Sequence, residues 1–453
     1  MDAEINIPAT ATAAAKQTIS LKRGIGKWSL VLLVINSVIG AGIFGLPSKI
    51  FGLSGMYSLL AFAACAVVIM VFVFCFAEVA SQFDKTGGPY VYVLAAFGRF
   101  PAFIMGWLLL LSRIFNYATL INLLVIYLSY FSATFSQPAI RACCIISITV
   151  FFGYINYIGV KNTVRVNNIL TIAKLLPLTA FIVTGLYNIN PQLLSHSRAF
   201  QMPSFTHSVL LLVFAFGGFE GMLVNSAEIE KPQKNIPFAL VTAAIVVAVY
   251  YCLIQLVSIG TLPALAASEK PLADAADNFM GPAGGSIMAI GALVSVTSTL
   301  NGLVLSGSRL PYALSLEKQL PPFLSYVHPK YRTPAWSLLA LLLIIAVVSL
   351  AWSFFAALAT ASIVRVLVYF MVCASLIKLR RQKKAAASFY KLRYGILLAI
   401  AGMLIAAWLL TASKQSEAIA VSACIIIGLV LYISFNRRRK KTFPGQQINK
   451  VYE

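Results

Sequence analysis

The chain has 453 residues, of which 60% are hydrophobic and 11% are charged, and its mean hydropathy is +0.87. Soluble domains carry charge on about a quarter of their residues, so this composition excludes a soluble protein. It predicts an all-α chain that crosses a membrane many times. The net charge of +22 needs an explanation of its own, because charge is costly inside lipid.

Twelve hydrophobic segments follow one another between residues 28 and 435, and a transmembrane helix needs ~20 apolar residues. The predicted spans are 28–51, 57–81, 101–131, 140–158, 164–187, 206–230, 236–262, 283–310, 336–351, 354–379, 392–412 and 416–435. Residues 1–27 are predicted to be a disordered cytoplasmic tail, and residues 436–453 a basic cytoplasmic tail. The first segment is too long for a signal peptide and is followed by many others.

The distribution of basic residues agrees with twelve spans. With basic residues at the ends of spans assigned to the nearer membrane face, 27 of the 35 Lys and Arg residues fall on one side of the membrane, 5 on the other and 3 deep within it. Basic residues accumulate in cytoplasmic loops, so we predict that both termini are cytoplasmic. The positive charge then faces anionic lipid, and we expect the lipid bilayer, and not nucleic acid, as its partner.

Small residues cluster near the middle of two spans that are five spans apart. The small residues are Gly40, Ala41 and Gly42 in the first span and Gly217 and Gly218 in the sixth. With their neighbours, the candidate segments are Ile39–Gly42 and Phe216–Glu220. Glycine disfavours helix by about 1 kcal/mol, and unpaired backbone groups are tolerated at this depth only where they line a cavity. Paired interruptions in two halves of a transporter indicate its binding site. The alternative is that these glycines are close-packing contacts between helices.

Several sequence blocks stand out in order along nearly the whole chain. They are Ser37–Phe44, Ala77–Ala80 with Thr86–Tyr92, Gly218–Glu220, Ala227–Pro237 and Arg309–Pro321. Together they resemble the amino acid–polyamine–organocation superfamily, and in particular its bacterial amino acid permeases. Two departures from the family pattern, Asp84 and Glu317-Lys318, lie in predicted cytoplasmic loops, so they bear on the subfamily more than on the fold.

The resemblance implies a LeuT-type fold with discontinuous helices 1 and 6. Ten core helices would form two inverted repeats of five, at residues 28–187 and 206–379, and two peripheral helices would occupy residues 392–435. The resemblance also implies alternating access and a multi-pass protein of the bacterial inner membrane. Glu220 matches the acidic residue of the family's sixth helix.

The two interruptions predict where an amino acid would bind. A half-helix that starts in mid-membrane presents unpaired N–H groups and the positive end of its dipole, which suits a carboxylate, so Ile39–Gly42 is the candidate carboxylate end. The carbonyl end of the half-helix in the sixth span suits an ammonium, next to Phe216–Glu220. Asn116 is added as a contact from the third span. On this interpretation Gly42→Leu abolishes binding and leaves the fold nearly intact.

Arg113, Glu220 and Arg365 fall well inside predicted spans. A charge at a helix centre costs at least ~2.5–3.5 kcal/mol unless it is paired or hydrated. Glu220 is therefore either a substrate contact or a structural partner of Arg113 or Arg365, and the sequence does not decide between these roles. Arg113 would favour an acidic cargo and Glu220 a basic one, so the side chain of the cargo stays open.

Lys174 lies ten residues into the fifth span, at a depth of about 15 Å, on one face with Asn167 and Thr171. Burial disfavours the charged form of a lysine, so such a group can gain and lose a proton near neutral pH. By resemblance it matches the lysine of proton-coupled members that replaces the sodium ion of their relatives. We predict proton coupling through Lys174 and Glu220, with hydroxyls of Ser295 and Ser298 facing the same position. The alternative is a permanent ion pair between Lys174 and a carboxylate such as Glu220.

The sequence predicts a secondary active transporter, with a proton-coupled amino acid permease as the first interpretation. An amino acid or amine exchanger and a polyamine carrier are alternatives in the same class. A membrane-embedded enzyme is a remote alternative, because the few acidic residues form no paired catalytic motif. The seven cysteines show no metal-ligand spacing, and we expect no metal, no cofactor and no obligate protein partner.

Overall fold

The computed structural model describes residues 25–83, 87–158, 164–195, 199–382 and 390–442. Within these ranges the chain is all-helical, and its one β-type contact is an isolated bridge between Ile25 and Ile229. The fourteen α-helices are Lys27–Val38 (α1), Ala41–Ser54 (α2), Tyr57–Ala80 (α3), Pro89–Phe97 (α4), Arg99–Leu128 (α5), Pro138–Ile158 (α6), Val164–Tyr187 (α7), Met202–Phe216 (α8), Pro232–Thr261 (α9), Pro271–Leu316 (α10), Ala335–Ala351 (α11), Phe354–Arg381 (α12), Gly395–Thr411 (α13) and Gln415–Thr442 (α14). A 3₁₀ segment, Phe219–Glu228, follows α8.

Length and hydropathy identify the membrane-crossing helices. Eight helical segments in the described ranges are long and apolar enough to span a bilayer, and α1 with α2 forms one further span that bends by 47°. Three shorter apolar helices, Thr171–Tyr187, Ala335–Ala351 and Gly395–Thr411, lie at other predicted spans. The chain is therefore a polytopic α-helical membrane protein. The count of twelve spans and the inverted repeat stay predictions.

Two helices differ from the predicted spans. The short helix α4 lies in a stretch that the sequence analysis left between spans; Gly88, at φ 51°, and Pro89 start it, and Gly98, at φ 86°, ends it. Proline is pre-organised for the first helical position, and glycine reaches positive φ without strain. Helix α10 begins twelve residues before the predicted span, with a kink at Gly281, where φ is 72°.

The helices form two packed groups. The broken pair α1–α2 packs with α3, α8 and α9, while α5 packs with α10 and α11, and α6 packs on α11. Helix α12 lies between the groups, in contact with α3, α5 and α8. Because α12 touches both groups, its side chains reach the place where the broken helices meet.

The N-terminal ends of α1 and α9 are tied together by backbone hydrogen bonds. The N–H of Ile25 donates to the carbonyl of Glu228 at 3.2 Å, and the N–H of Glu230 donates to the carbonyl of Ile25 at 3.0 Å. Since Ile25 precedes α1 and Glu228 ends the 3₁₀ segment, the bridge couples the outer ends of the two broken helices.

A second tie joins α3, α12 and the segment that leads into α13. Arg380 donates from Nε and Nη2 to the two carboxylate oxygens of Glu78 at 2.6 and 2.7 Å, and from Nη2 to the carbonyl of Leu392. The N–H of Leu392 donates back to Glu78. Burial, with a smaller contribution from the Glu78 carboxylate, raises the pKa of the Tyr390 hydroxyl above its ordinary value. Glu78 thus has a structural role near the end of α3.

Candidate substrate and proton site

The first helix break lies between α1 and α2. Helix α1 ends at Val38, Ile39 and Gly40 leave the helical conformation, and α2 starts at Ala41. The first N–H groups of a helix have no partner within it, so the start of α2 presents donors and a positive dipole end inside the membrane. This is the geometry that the small residues of the first span predicted.

The second break lies between α8 and the 3₁₀ segment. Helix α8 ends at Phe216, and Gly217 is extended. Gly218 has φ 118°, a conformation that side chains rarely adopt, and a Cβ there would collide with the carbonyl oxygen of Ser37 in the last turn of α1. The two breaks are therefore in direct contact, and glycine at position 218 permits their approach.

Close packing also explains two of the glycines. A Cβ on Gly42 would lie 2.5 Å from the Cα of Ala215, and one on Gly217 would overlap the guanidinium of Arg365. The expectation that Gly42→Leu leaves the fold intact is therefore wrong, because the side chain would meet the backbone of α8. Gly40 differs, since a Cβ there would meet nothing closer than the hydroxyl of Thr299 at 3.8 Å.

Glu220 and Arg365 form a buried ion pair beside the second break. Arg365 Nε donates to Glu220 Oε1 at 3.0 Å, and both side chains are 3% exposed. The other oxygen, Oε2, accepts from the N–H of Gly218 at 2.9 Å and from the hydroxyl of Tyr369 at 3.2 Å. Of the two basic partners that the sequence left open for Glu220, the structure pairs Arg365, and the pair fixes the backbone of the break.

Arg365 also caps the carbonyl end of α8. Its Nη1 donates to the carbonyl of Phe214 at 2.9 Å and, more weakly, to that of Val213 at 3.5 Å. A cation is stabilised at the negative end of a helix dipole, so a resident guanidinium takes part of the place expected for the ammonium of the cargo. The carbonyls of Phe216 and Gly217 accept no hydrogen bond from the described residues, and they are the acceptors left for a ligand.

The aromatic side chains at the second break pack against neighbouring rings. Phe216 contacts Tyr251 with ring centroids 4.9 Å apart, and Phe219 stacks on Tyr369 at 5.4 Å. Both phenylalanines are 2% exposed. These packed aromatic rings form an apolar support for the backbone of the second break.

Lys174 reaches the first break from α7. Its Nζ donates to the carbonyls of Ile39 at 3.0 Å and Asn36 at 3.2 Å, and its side chain is 1% exposed. The hydroxyl of Ser295, on α10, donates to the same carbonyl of Ile39 at 3.3 Å. No carboxylate in the described part of the chain pairs with Lys174, so the alternative of an ion pair with Glu220 is wrong.

The other residues proposed around Lys174 are placed less closely. Thr171 donates to the carbonyl of Leu32, about two turns before the break, whereas the side chain of Asn167 lies outside the described residues. Ser298 is one turn further along α10 than Ser295 and makes no hydrogen bond within the described ranges. The structure therefore brings Lys174 and Ser295 together at the carbonyl of Ile39, whereas no described hydrogen bond brings Ser298 there.

Three polar atoms near the breaks are buried without a partner among the described residues: Arg113 Nε, Asn116 Oδ1 and Asn36 Oδ1. Asn116 donates to Ser112 at 3.3 Å through its amide nitrogen, so only its oxygen is unsatisfied. Partnerless buried polar atoms are rare in proteins and require an explanation. A ligand or water with complementary groups would satisfy them.

Sequence reasoning missed Tyr251 and Tyr369. The hydroxyl of Tyr251 lies 3.1 Å from the carbonyl of Ala215 and 3.3 Å from that of Val38, so it joins the ends of α8 and α1. Both tyrosines are fully buried in apolar spans. The available signal was chemical, since a tyrosine buried in mid-membrane needs an acceptor for its hydroxyl.

Residues 25–435 match the sequence model of a family described as amino acid permease. The serine/threonine exchanger SteT of Bacillus subtilis is 28% identical, in an alignment that covers 93% of this chain and 98% of that protein. The methylthioribose transporter of the same organism is 28% identical over 72% of this chain and 74% of its own length. Its branched-chain amino acid permease BcaP is 26% identical over 71% of this chain and 73% of its own length.

These relatives are named as transporters and permeases, and none of the three is an enzyme. The family match extends over nearly the whole chain, including both helix breaks and the helix that carries Lys174. Together with the apolar helices that cross the bilayer, it shows that this chain belongs to the amino acid permease family and is an APC-type membrane transporter.

Proposed function

We propose that this chain is a secondary active transporter that moves an amino acid across the bacterial inner membrane by alternating access, with a proton as the coupling ion. The observation that carries the proposal is the contact between the two helix breaks at Gly218 and Ser37. Donors from the start of α2 and acceptors from the end of α8 then face one place in the membrane interior, and an α-amino acid carries both complementary groups. We further propose twelve spans in two inverted repeats, with both termini cytoplasmic.

In this proposal the cargo binds across the breaks. Its carboxylate accepts from the N–H groups of Ala41 and Gly42 at the positive end of α2. Its ammonium donates to the carbonyls of Phe216 and Gly217, next to the cap that Arg365 forms. Gly40 leaves room for the carboxylate, because nothing lies within 3.8 Å of its missing side chain.

Lys174 is the proposed proton carrier. A protonated lysine offers three N–H donors and a full charge to the carbonyls of Ile39 and Asn36, whereas a neutral amine offers two donors and no charge. Loss of the proton therefore weakens the hold of α7 on the first break. Since that break also binds the cargo, the protonation state of Lys174 and the occupancy of the site are coupled.

The proposal is tested by uptake of a radiolabelled amino acid mixture into proteoliposomes with an imposed pH gradient. Wild type is expected to accumulate amino acid when the outside is acidic, at a rate that does not change when choline replaces sodium. Lys174→Ala is expected to lose accumulation and pH dependence but to keep downhill exchange, because both breaks are intact. Lys49→Ala, which removes a lysine on α2 away from the break, is the matched control and should behave as wild type.

Two results would contradict the coupling mechanism. A steep sodium dependence would show that a metal cation, and not Lys174, supplies the charge at the break. A stable Lys174→Ala protein that still concentrates amino acid with the wild-type pH profile would show that Lys174 carries no proton. Absence of amino acid transport in every condition would reject the amino acid cargo itself.

Obligatory exchange is a second candidate, because the relative that matches 93% of this chain is named as an exchanger. It requires the same two breaks and no net proton movement. Vesicles preloaded with unlabelled amino acid separate the mechanisms: an exchanger takes up label only into preloaded vesicles, whereas a proton symporter also fills empty vesicles when the outside is acidic.

A further inference from the structure

Arg113 lies beside the second helix break and forms no ion pair with any described residue. Its Nη2 is 3.0 Å from the position that a Cβ would take on Gly221, three residues after Gly218. Its own Cβ is within 3.5 Å of the corresponding position on Gly307 of α10. The side chain therefore starts from α5 next to α10 and reaches the 3₁₀ segment. It is partly exposed, while its Nε is buried and has no acceptor among the described residues.

The carboxylate of Glu220 does not serve as that acceptor. Its two oxygens already accept from Arg365, Tyr369 and the N–H of Gly218. The opposite charges of Arg113 and Glu220 attract each other, but no hydrogen bond or ion pair joins them in the described part of the chain. Because this carboxylate holds the backbone of the break and neutralises Arg365, it is not available to a basic cargo. Glu220 is therefore no argument for a basic amino acid as the cargo.

The charges around the breaks leave an excess of cations. Within the described residues, the side chains of Arg113, Lys174 and Arg365 lie at the breaks, and the carboxylate of Glu220 there pairs with Arg365. A zwitterionic cargo would not change this excess, and a cationic cargo would increase it. A cargo with one net negative charge reduces the excess of positive charge, and it can do so at Arg113, which forms no ion pair with the described residues.

Resting on the proposed function, we propose that Arg113 binds the side-chain carboxylate of the cargo and that the cargo is an acidic α-amino acid. Arginine binds carboxylates through two parallel hydrogen bonds, a geometry that a lysine does not reproduce. The carboxylate of the cargo supplies the acceptor that Arg113 lacks.

A second partnerless group supports the same ligand. Asn116 lies one turn from Arg113 on α5, and its Oδ1 is buried without a donor in the described part of the protein. The ammonium of an α-amino acid is a donor for this oxygen. An acidic amino acid therefore brings an acceptor to the unsatisfied donor and a donor to the unsatisfied acceptor, whereas a basic side chain would bring more donors to Arg113.

The test compares L-glutamate and L-aspartate with their uncharged, nearly isosteric amides, L-glutamine and L-asparagine. Purified wild type in proteoliposomes is expected to transport the acids with kcat/KM at least about tenfold above the amides, because a buried group built for one partner rejects an analogue that leaves it unpaired. Arg113→Met is expected to lose at least about tenfold on the acids and much less on the amides. Arg113→Lys is expected to fall between the two.

Arg309→Met is the matched control, because Arg309 is an exposed arginine of α10 and its loss removes the same charge away from the breaks. It should keep the wild-type preference. If wild type transports neutral amino acids with no preference for acids, the role of Arg113 is overturned while the amino acid permease function stands. If no amino acid is transported, the proposed function itself fails. Should Arg113→Met not fold, competition of the acids against the amides on wild type and on Arg113→Lys still decides the question.

Discussion

We predict that the buried ion pair between Glu220 and Arg365 contributes strongly to the unfolding free energy of the protein. Glu220→Gln keeps the shape of the side chain but removes the charge that faces Arg365, Tyr369 and the N–H of Gly218. The amide nitrogen of glutamine must then point at one of these donors. Since both members of the pair are 3% exposed, the buried guanidinium is left uncompensated.

Breaking a buried ion pair by removing one partner costs about 3–5 kcal/mol, and we expect Glu220→Gln to lose this amount of unfolding free energy. Arg365→Met should lose a similar amount of unfolding free energy, because it leaves the carboxylate buried without its cation. It also removes the donor that the carbonyls of Val213 and Phe214 share. Tyr369→Phe removes a single hydrogen bond to a charged acceptor, worth about 1.5–3 kcal/mol.

The assay is reversible unfolding of the purified protein in mixed micelles, titrated with dodecyl sulfate. The double variant Glu220→Gln/Arg365→Met should lose less than the sum of the single losses, because neither charge then remains buried without a partner, with a coupling energy of about 0.5–3 kcal/mol. Strictly additive losses would refute the pairing. Wild-type stability in Glu220→Gln would refute the structural role of the carboxylate and return it to the list of substrate contacts.

Other contacts give predictions of the same kind. Gly42→Leu should lower the unfolding free energy by at least about 1–3 kcal/mol, because the new side chain would overlap the backbone of Ala215. Gly40→Ala should keep wild-type stability and elute as a monodisperse peak in size exclusion, while its affinity for amino acid falls. Equal stability of the two variants would contradict the packing explanation. Glu78→Gln should cost about 3 kcal/mol in the same unfolding assay, since Arg380 loses a bidentate carboxylate that is 1% exposed; no loss would show that this tie does not stabilise the fold.

The sequence by itself determined the membrane environment, the family and the position of both helix breaks. These features depend on residues that are neighbours in the sequence. A run of apolar residues predicts a membrane span, and the glycines at Gly40–Gly42 and Gly217–Gly218 predict an interruption of the helix. Helix α4 was missed because its signals are a glycine at positive φ and a proline, which a search for long apolar runs does not register.

Only the tertiary structure decided which charged groups meet. Glu220 and Arg365 are separated by 145 residues, and Lys174 and Ile39 by 135. Whether such side chains touch depends on the rotation and tilt of each helix against its neighbours, and helix packing, not sequence spacing, sets these. The sequence therefore offered Arg113 and Arg365 as equal partners for Glu220. The packing of α12 against α8 gave the carboxylate to Arg365 and left Arg113 without one, because α12 places a guanidinium directly at the carbonyl end of α8, where the helix dipole already favours a cation.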